Sequence, residues 1–351
     1  MRAFSPAEAS LLSRFQADFP LHERPFRVVG DGMGLSDDEV LPLARRLKEE
    51  GVLRDITGIF NADRLGYHTA LAAFRVPAAV LEKTAEVVGA HPGVGHNYER
   101  DGAYNLWFTI AVERDVPLEK ETEILAARAG VEDFLVLRNE KTLKIGVILP
   151  VGDGGRLEGR PGETAPAETA SRKRPAEGSR TPGTLSDSEK EVVRVLQKDL
   201  PLENRPFHAL AERSCADFGG TELLRAAVRL REAGILRRYA AVLRHHKAGY
   251  NVNIMSAWRF PEGGEKRLAC FIAEPRVTHL YLRSPLRGAW TLNLFAMMHA
   301  KSAGEGENLV ARLAEGSGLS DYLLLRTKRE FKKKKIEYLG EPFSLLKRME
   351  A

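Results

Sequence analysis

The chain carries a near-copy of itself. Phe19–Phe26, FPLHERPF, returns as Leu200–Phe207, LPLENRPF, and Glu49–Arg54, EEGVLR, returns as Glu232–Arg237, EAGILR. His91–Arg100, HPGVGHNYER, returns as Glu274–Arg283, EPRVTHLYLR, and Glu132–Arg138, EDFLVLR, as Ser320–Arg326, SDYLLLR. The offset grows from 181 at Arg24/Arg205 to 183 at Arg100/Arg283 and 188 at Arg138/Arg326, while the order is kept. That is a duplication that has taken up short loop insertions. Any fold for one half must therefore serve for the other. With 351 residues, 43% of them apolar, each half can bury a core of its own.

Between the copies, residues 150–188 change character. Gly, Pro, Ala, Ser, Thr and Glu dominate and large apolar residues are few, the composition of a disordered linker. Each half then divides in two. The first part is helical: Pro6–Asp18, a short segment from Phe26, and Ser36–Glu50, where Val40, Leu41, Leu43, Ala44 and Leu47 share one face and Gly51 stops the helix. Three short helices and a strand read as a winged helix-turn-helix. The second part alternates strand and helix as βαββαβ, the ferredoxin-like pattern.

The expected fold is α+β: two tandem copies of a winged helix-turn-helix and a ferredoxin-like domain, related by a pseudo-twofold. The boundaries are 1–52 and 53–149, then the linker 150–188, then 189–235 and 236–342.

Two isolated thiols, Cys215 and Cys270, make no zinc set, cluster ligand set or disulfide framework. No apolar run approaches the roughly 18 residues of a membrane span. The start, MRAFSPAEASLLSRF, lacks the apolar core of a secretory signal. The expectation is a soluble, cytoplasmic protein without a membrane partner. The net charge of +5 is local: Arg326–Lys335 holds seven basic residues and one Glu, so the rest of the chain sums to −1.

A winged helix followed by a ferredoxin-like unit resembles the Lrp/AsnC family of transcription regulators, so DNA binding must be weighed. Affinity for DNA is largely phosphate neutralisation, and the recognition helix reads bases with its N-terminal turn. Here that turn is Ser36-Asp37-Asp38-Glu39, and Ser36–Gly51 holds five acidic and three basic residues. The counterpart, Gly219-Gly220-Thr221-Glu222, offers no base-reading Arg or Lys. No nucleic-acid partner is expected.

The chemistry-bearing residues lie elsewhere. Val94, His96, Tyr98 and Arg100 alternate along one strand, as do Val277, His279, Tyr281 and Arg283, which puts each set on one face. A buried face normally wants apolar residues, so these sets point to a polar cavity. Imidazole offers iron ligation or proton transfer near neutral pH, Tyr a hydrogen bond or a proton, and Arg a bidentate clamp for carboxylate. The competing reading is a polar ladder at a dimer interface.

Arg24 and Arg205 share an RPF context that displays each on an irregular loop, and a ligand role is expected of both. Asn105 and Asn293 either satisfy strand ends or touch a ligand. Lys144 and Lys332, beside Lys141 and Arg329, could meet an anion, whereas Lys333–Lys335 read as a solvated edge. His68 and His299 lack counterparts and read as structural or exposed. There is no Gly-rich phosphate loop and no nucleophile elbow. That leaves acid–base work on a polyanion.

The RPF loop, His91–Ile110 (HPGVGHNYERDGAYNLWFTI), VTHLYLR followed by NLFAMMHA, and the REFK tail together resemble the siroheme decarboxylases, over both halves and without the linker. The second half departs from the pattern at Leu280, where the first has Asn97. The resemblance implies a lyase acting on siroheme, an iron isobacteriochlorin with eight carboxylates. Two acetate carboxyls leave as CO2 to give didecarboxysiroheme, on the alternative haem or haem d1 route. Such enzymes often consist of two homologous subunits, which this chain would fuse into an intramolecular pseudo-dimer; further self-association is left open.

Under that resemblance His96, His279, Tyr98 and Tyr281 are the catalytic candidates, with His96 or His279 as axial ligand to the substrate's iron. Arg24, Arg100, Arg205, Arg283, Lys144, Lys332, Asn105 and Asn293 are the substrate-binding ones. One working site is expected, and no cofactor beyond the iron carried by the substrate. The alternative is an Lrp/AsnC-type DNA-binding regulator that senses a tetrapyrrole.

Overall fold

The structure is a computed structural model describing residues 3–146, 185–244, 246–247, 249–250 and 252–350. Positions 150–184 of the expected linker lie outside them. The first half runs α1 (Pro6–Ala17), α2 (Pro25–Asp31), α3 (Asp37–Glu49), β1 (Leu53–Phe60), β2 (Tyr67–Phe74), α4 (Leu81–Ala90), β3 (Val94–Arg100), β4 (Leu106–Glu113), α5 (Leu118–Ala129) and β5 (Phe134–Ile145). The second runs α6 (Asp187–Leu196), α7 (Pro206–Arg213), α8 (Gly220–Glu232), β6 (Leu236–Leu243), β7 (Val252–Trp258), α9 (Ala269–Ala273), β8 (Val277–Arg287), β9 (Leu294–Ala300), α10 (Ala303–Ser317) and β10 (Tyr322–Lys333), followed by α11 (Leu345–Glu350).

Local signals set the helix ends. Ser5 and Ser186 each accept the N–H three residues on at 3.2 Å, and Glu8 and Glu189 reach back to the serine N–H, which makes two capping boxes. The second box starts α6 at Asp187, inside the stretch read as linker. Gly130 and Gly318 end α5 and α10 in the left-handed region, at φ 68° and 66°, where a side chain would be strained.

The wing strands do not behave as the sequence boundaries at 53 and 236 imply. β1 does not pair with β2; it pairs antiparallel with β6, Ile56 opposite Ala241 and Thr57 opposite Ala240. Each wing covers the other's open edge. The two helical units also share one apolar core, in which Phe19 meets Tyr239 at 6.3 Å and Tyr239 meets Phe207 at 5.3 Å.

The ferredoxin-like units are four-stranded antiparallel sheets, β5-β2-β4-β3 and β10-β7-β9-β8, joined at both edges, β5 to β8 and β10 to β3, into a closed eight-stranded barrel. Strand alternation sorts the residues. On β4, Leu106, Phe108, Ile110 and Val112 face α4 and α5, while Trp107 faces inward. Trp107, Phe295, Met255 and Leu325 fill one part of the barrel with an apolar plug.

Candidate active site

One prediction of the alternation fails in an informative way. On both β3 and β8 the register slips between Val94 and His96 and between Val277 and His279. These bulges turn Val94 and Val277 out to the helix-covered cores, while His96, Tyr98 and Arg100, and His279, Tyr281 and Arg283, line the barrel interior. Asn97 points outward, where its amide donates to Ala85 O at 2.9 Å, and its counterpart Leu280 is simply part of the outer core.

The inward residues border a cavity of about 550 Å³. Barrel strands form most of its wall. The β1–β6 ribbon and the chain just after β10, through Tyr338, supply the rest. β3 and β8 stand four places apart in the eight-strand ring, so the two His-Tyr-Arg ladders face each other. Each is built alike: His96 stacks with Tyr98 and His279 with Tyr281, both at 6.1 Å between rings, and Arg100 and Arg283 lie over those tyrosines at 5.0 and 4.7 Å.

The electrostatics of the wall are one-sided. Arg54, Arg100, Arg238, Arg283, Lys333, Lys334 and Lys335 line the cavity, and among the described residues no Asp or Glu does, although Arg54 pairs with Asp55 at 2.7 Å behind the wall. Burial, then the charges of Lys333, Arg54 and Arg100, holds His96 down to about 4. Burial, then His96 and Arg238 among others, does the same to His279. Both imidazoles are therefore neutral at pH 7. Burial also pulls Arg100 and Arg283 down to about 10 and Lys335 to about 8. Tyr98 is pushed up by burial and by the Glu330 carboxylate, and Tyr281 by burial.

His279 is the more firmly oriented imidazole. Its Nδ1 is 3.1 Å from Thr278 Oγ1, which lies 3.3 Å from Met297 O and 3.3 Å from His299 Nδ1. With the hydroxyl donating to Met297 O, Thr278 accepts Nδ1–H of His279, and Nε2 is the nitrogen left for a ligand. His96 Nδ1 lies only loosely on Thr109 Oγ1, at 3.5 Å.

The other expected ligand residues are not brought to the cavity, and each has a protein partner instead. Arg24 caps the start of α2 and pairs with Asp37, and Arg205 pairs with Glu23 at 3.1 Å; both are largely exposed. Asn105 grips Val76 through both its N–H and its C=O at 2.9 Å, and Asn293 does the same to Phe260, so they tie strand ends. Lys144 donates to Ile272 O and Glu274 O at the end of α9, and Lys332 to Gly89 O and His91 O at the end of α4. These lysines neutralise helix C-termini.

The sequence reading missed Lys333 and Lys335, which belong to the wall and not to a solvated edge, whereas Lys334 between them is exposed as expected; it also missed Arg54, Arg238, Asn139 and His299. The cue for the lysines was available: they prolong a strand whose register is fixed by His96.

Asn139 Oδ1, Asn253 Oδ1 and Arg283 Nε are buried without a hydrogen-bond partner, and all three residues line the cavity. A wall richer in cations than in carboxylates, neutral imidazoles and orphaned polar atoms fit a polyanionic iron macrocycle. Nucleic acid is poorly served: Asp37 opens α3 in its ion pair with Arg24, and both wings are consumed in the ribbon. No helix among the described residues is long and apolar enough to cross a membrane.

Two family models match in both halves. One is an AsnC-like ligand binding domain, at residues 64–144 and 247–332; the other is a siroheme decarboxylase NirDL-like HTH domain, at 8–54 and 189–237. The chain is similar to a siroheme decarboxylase of Hydrogenobacter thermophilus, 38% identical over 95% of both chains. It is also similar to a siroheme decarboxylase NirDL subunit of Paracoccus denitrificans, 31% identical over 86% of this chain and 87% of that one.

Among solved structures it is similar to a crystal structure of the siroheme decarboxylase NirDL, with TM-score 0.72 and 33% identity over 98% of this chain and 99% of that one. A second NirDL crystal structure, in co-complex with an iron-uroporphyrin III analogue, gives TM-score 0.71 and 32% identity over 97% and 96%. Matched domain by domain in both halves, and end to end by relatives of this identity, the chain belongs to the siroheme decarboxylase family.

Proposed function

We propose that this chain decarboxylates siroheme, removing two acetate carboxyl groups as CO2 and leaving methyl groups. The observation that carries the reading is the cavity wall: arginines and lysines outnumber acidic groups among the described residues, and two neutral imidazoles stand on opposite sides. The iron-uroporphyrin III analogue held by a related NirDL structure supports a tetrapyrrole as the occupant. Since both ladders face one cavity, the working site belongs to the two halves jointly.

At each reacting acetate the bond between methylene and carboxylate carbon breaks, CO2 departs, and the electron pair stays on the methylene, in conjugation with the ring. A proton delivered to that carbon completes the methyl group. The lining cations hold the carboxylates that remain. A carboxylate that leaves is served best by apolar wall such as Met297, Phe295 and Trp107, because an ion pair there would stabilise the ground state.

His279, oriented through Thr278, ligates the substrate's iron. His96, beside Lys333 and Arg54, delivers the proton once the substrate's carboxylates have raised its pKa. Tyr98 and Tyr281 remain protonated and donate hydrogen bonds. The reading draws on no cofactor beyond the substrate's own iron.

The test uses His279→Ala and His96→Ala. With iron-uroporphyrin, His279→Ala loses the ligand signature in the visible spectrum, and His96→Ala keeps it while CO2 release from siroheme collapses. Unchanged spectra and unchanged CO2 release in both variants would contradict the assignment.

A further inference from the structure

The two ladders look alike but their arginines are held differently. Arg100 donates from Nη1 to Leu325 O and to Thr327 Oγ1, each at 2.9 Å, and Thr327 is its cross-strand neighbour. Arg283 makes the counterpart contact to Leu137 O, at 3.3 Å. Its cross-strand neighbour is Asn139, which stands 188 residues before Thr327, the offset that relates β5 to β10. Asn139 does not hold Arg283. Its Nδ2 donates to Thr142 Oγ1 at 3.0 Å, leaving Asn139 Oδ1 and Arg283 Nε buried without partners.

Orphaned polar atoms in a cavity wall are expensive unless a ligand satisfies them. Turning the Asn139 amide over keeps the Thr142 contact, now donated by the hydroxyl, and presents an N–H on the residue that faces Arg283 across the strands. Two such donors match the two oxygens of a carboxylate. Nothing of the kind exists around Arg100, where Thr327 takes the guanidinium's hydrogen bond and no atom of Arg100 is left buried and unpaired.

We infer that Arg283 and Asn139 form a carboxylate subsite present on one side of the cavity only, and that it fixes the rotational setting of the macrocycle. The inference rests on the decarboxylase reading above. A pseudo-twofold cavity with two equal ladders would accept the ring in two orientations related by half a turn. A subsite on one wall adds to the asymmetry that Lys333, whose counterpart is Ile145, already gives the cavity, and so helps decide which acetates lie where a proton can reach them.

Asn139→Thr copies the Arg100 arrangement onto Arg283 and ties the guanidinium to the protein. Asn139→Asp, nearly isosteric, places a carboxylate on the same residue. Binding of iron-uroporphyrin is measured by spectral titration, and the product formed from siroheme is assigned by mass spectrometry and NMR. Both variants are expected to bind on the order of tenfold more weakly and to give a mixture of decarboxylated isomers where the parent protein gives one.

Parent-like affinity with a single parent-like isomer in both variants would overturn the subsite. A parent protein that binds but does not decarboxylate would overturn the reading beneath it, and the inference with it.

Discussion

His96 and His279 are each the first inward-facing residue after a bulge, on strands half a barrel apart, opposite Thr109 on β4 and Met297 on β9. Both sit at about 4 in the fold, against an ordinary 6.5. Between those values the unfolded chain binds protons that the folded one does not, so stability falls as pH drops from about 6.5 towards 4. Thermal melts of the ligand-free protein should show this fall, and the His96→Gln, His279→Gln double variant should flatten it. An equally steep fall in the double variant would remove the histidines as its cause.

Lys335 is held by Thr57 Oγ1 at 2.5 Å and Gln197 O at 2.6 Å, and burial, the largest influence, brings it to about 8. An anionic ligand favours its charged form, so affinity for iron-uroporphyrin should decline as pH rises past about 8. Lys335→Met should weaken binding at pH 7 on the order of tenfold and lose that component of the decline. Titrations at pH 7 and 9 check both.

Lys144→Met and Lys332→Met should behave differently, because these ammonium groups serve helix ends. Each is expected to cost about 1 kcal/mol of stability, read as a lower Tm, with ligand affinity within about twofold of the parent. A tenfold loss of affinity at unchanged Tm would return them to the binding site.

How much of this was legible follows from where each signal lies. The halves, the βαββαβ order and the His-Tyr-Arg ladders are local patterns, and they can be read directly; the Ser186 capping box is as local, yet it falls inside the stretch whose composition reads as linker. The β1–β6 pairing is not local. Leu53 and Leu243 meet across the duplication, and nothing in either wing names its partner. The bulges escaped because period-two alternation cannot show where it slips: Val94 looks in register with His96 yet packs outward. Arg24 and Lys332 misled for another reason. Recurrence in both copies marks a shared job, and bracing a helix is as shared as gripping a ligand.

The acidic opening of α3 and the paired wings lead to a further expectation: no mobility shift of genomic DNA fragments at physiological salt. A sequence-selective shift would revive the regulator reading.

The most direct measurement is anaerobic incubation of the purified protein with siroheme, followed by mass spectrometry of the tetrapyrrole. The account predicts two successive losses of CO2 with the ring and iron intact. Siroheme recovered bound and unchanged would make the protein a carrier or sensor and contradict it.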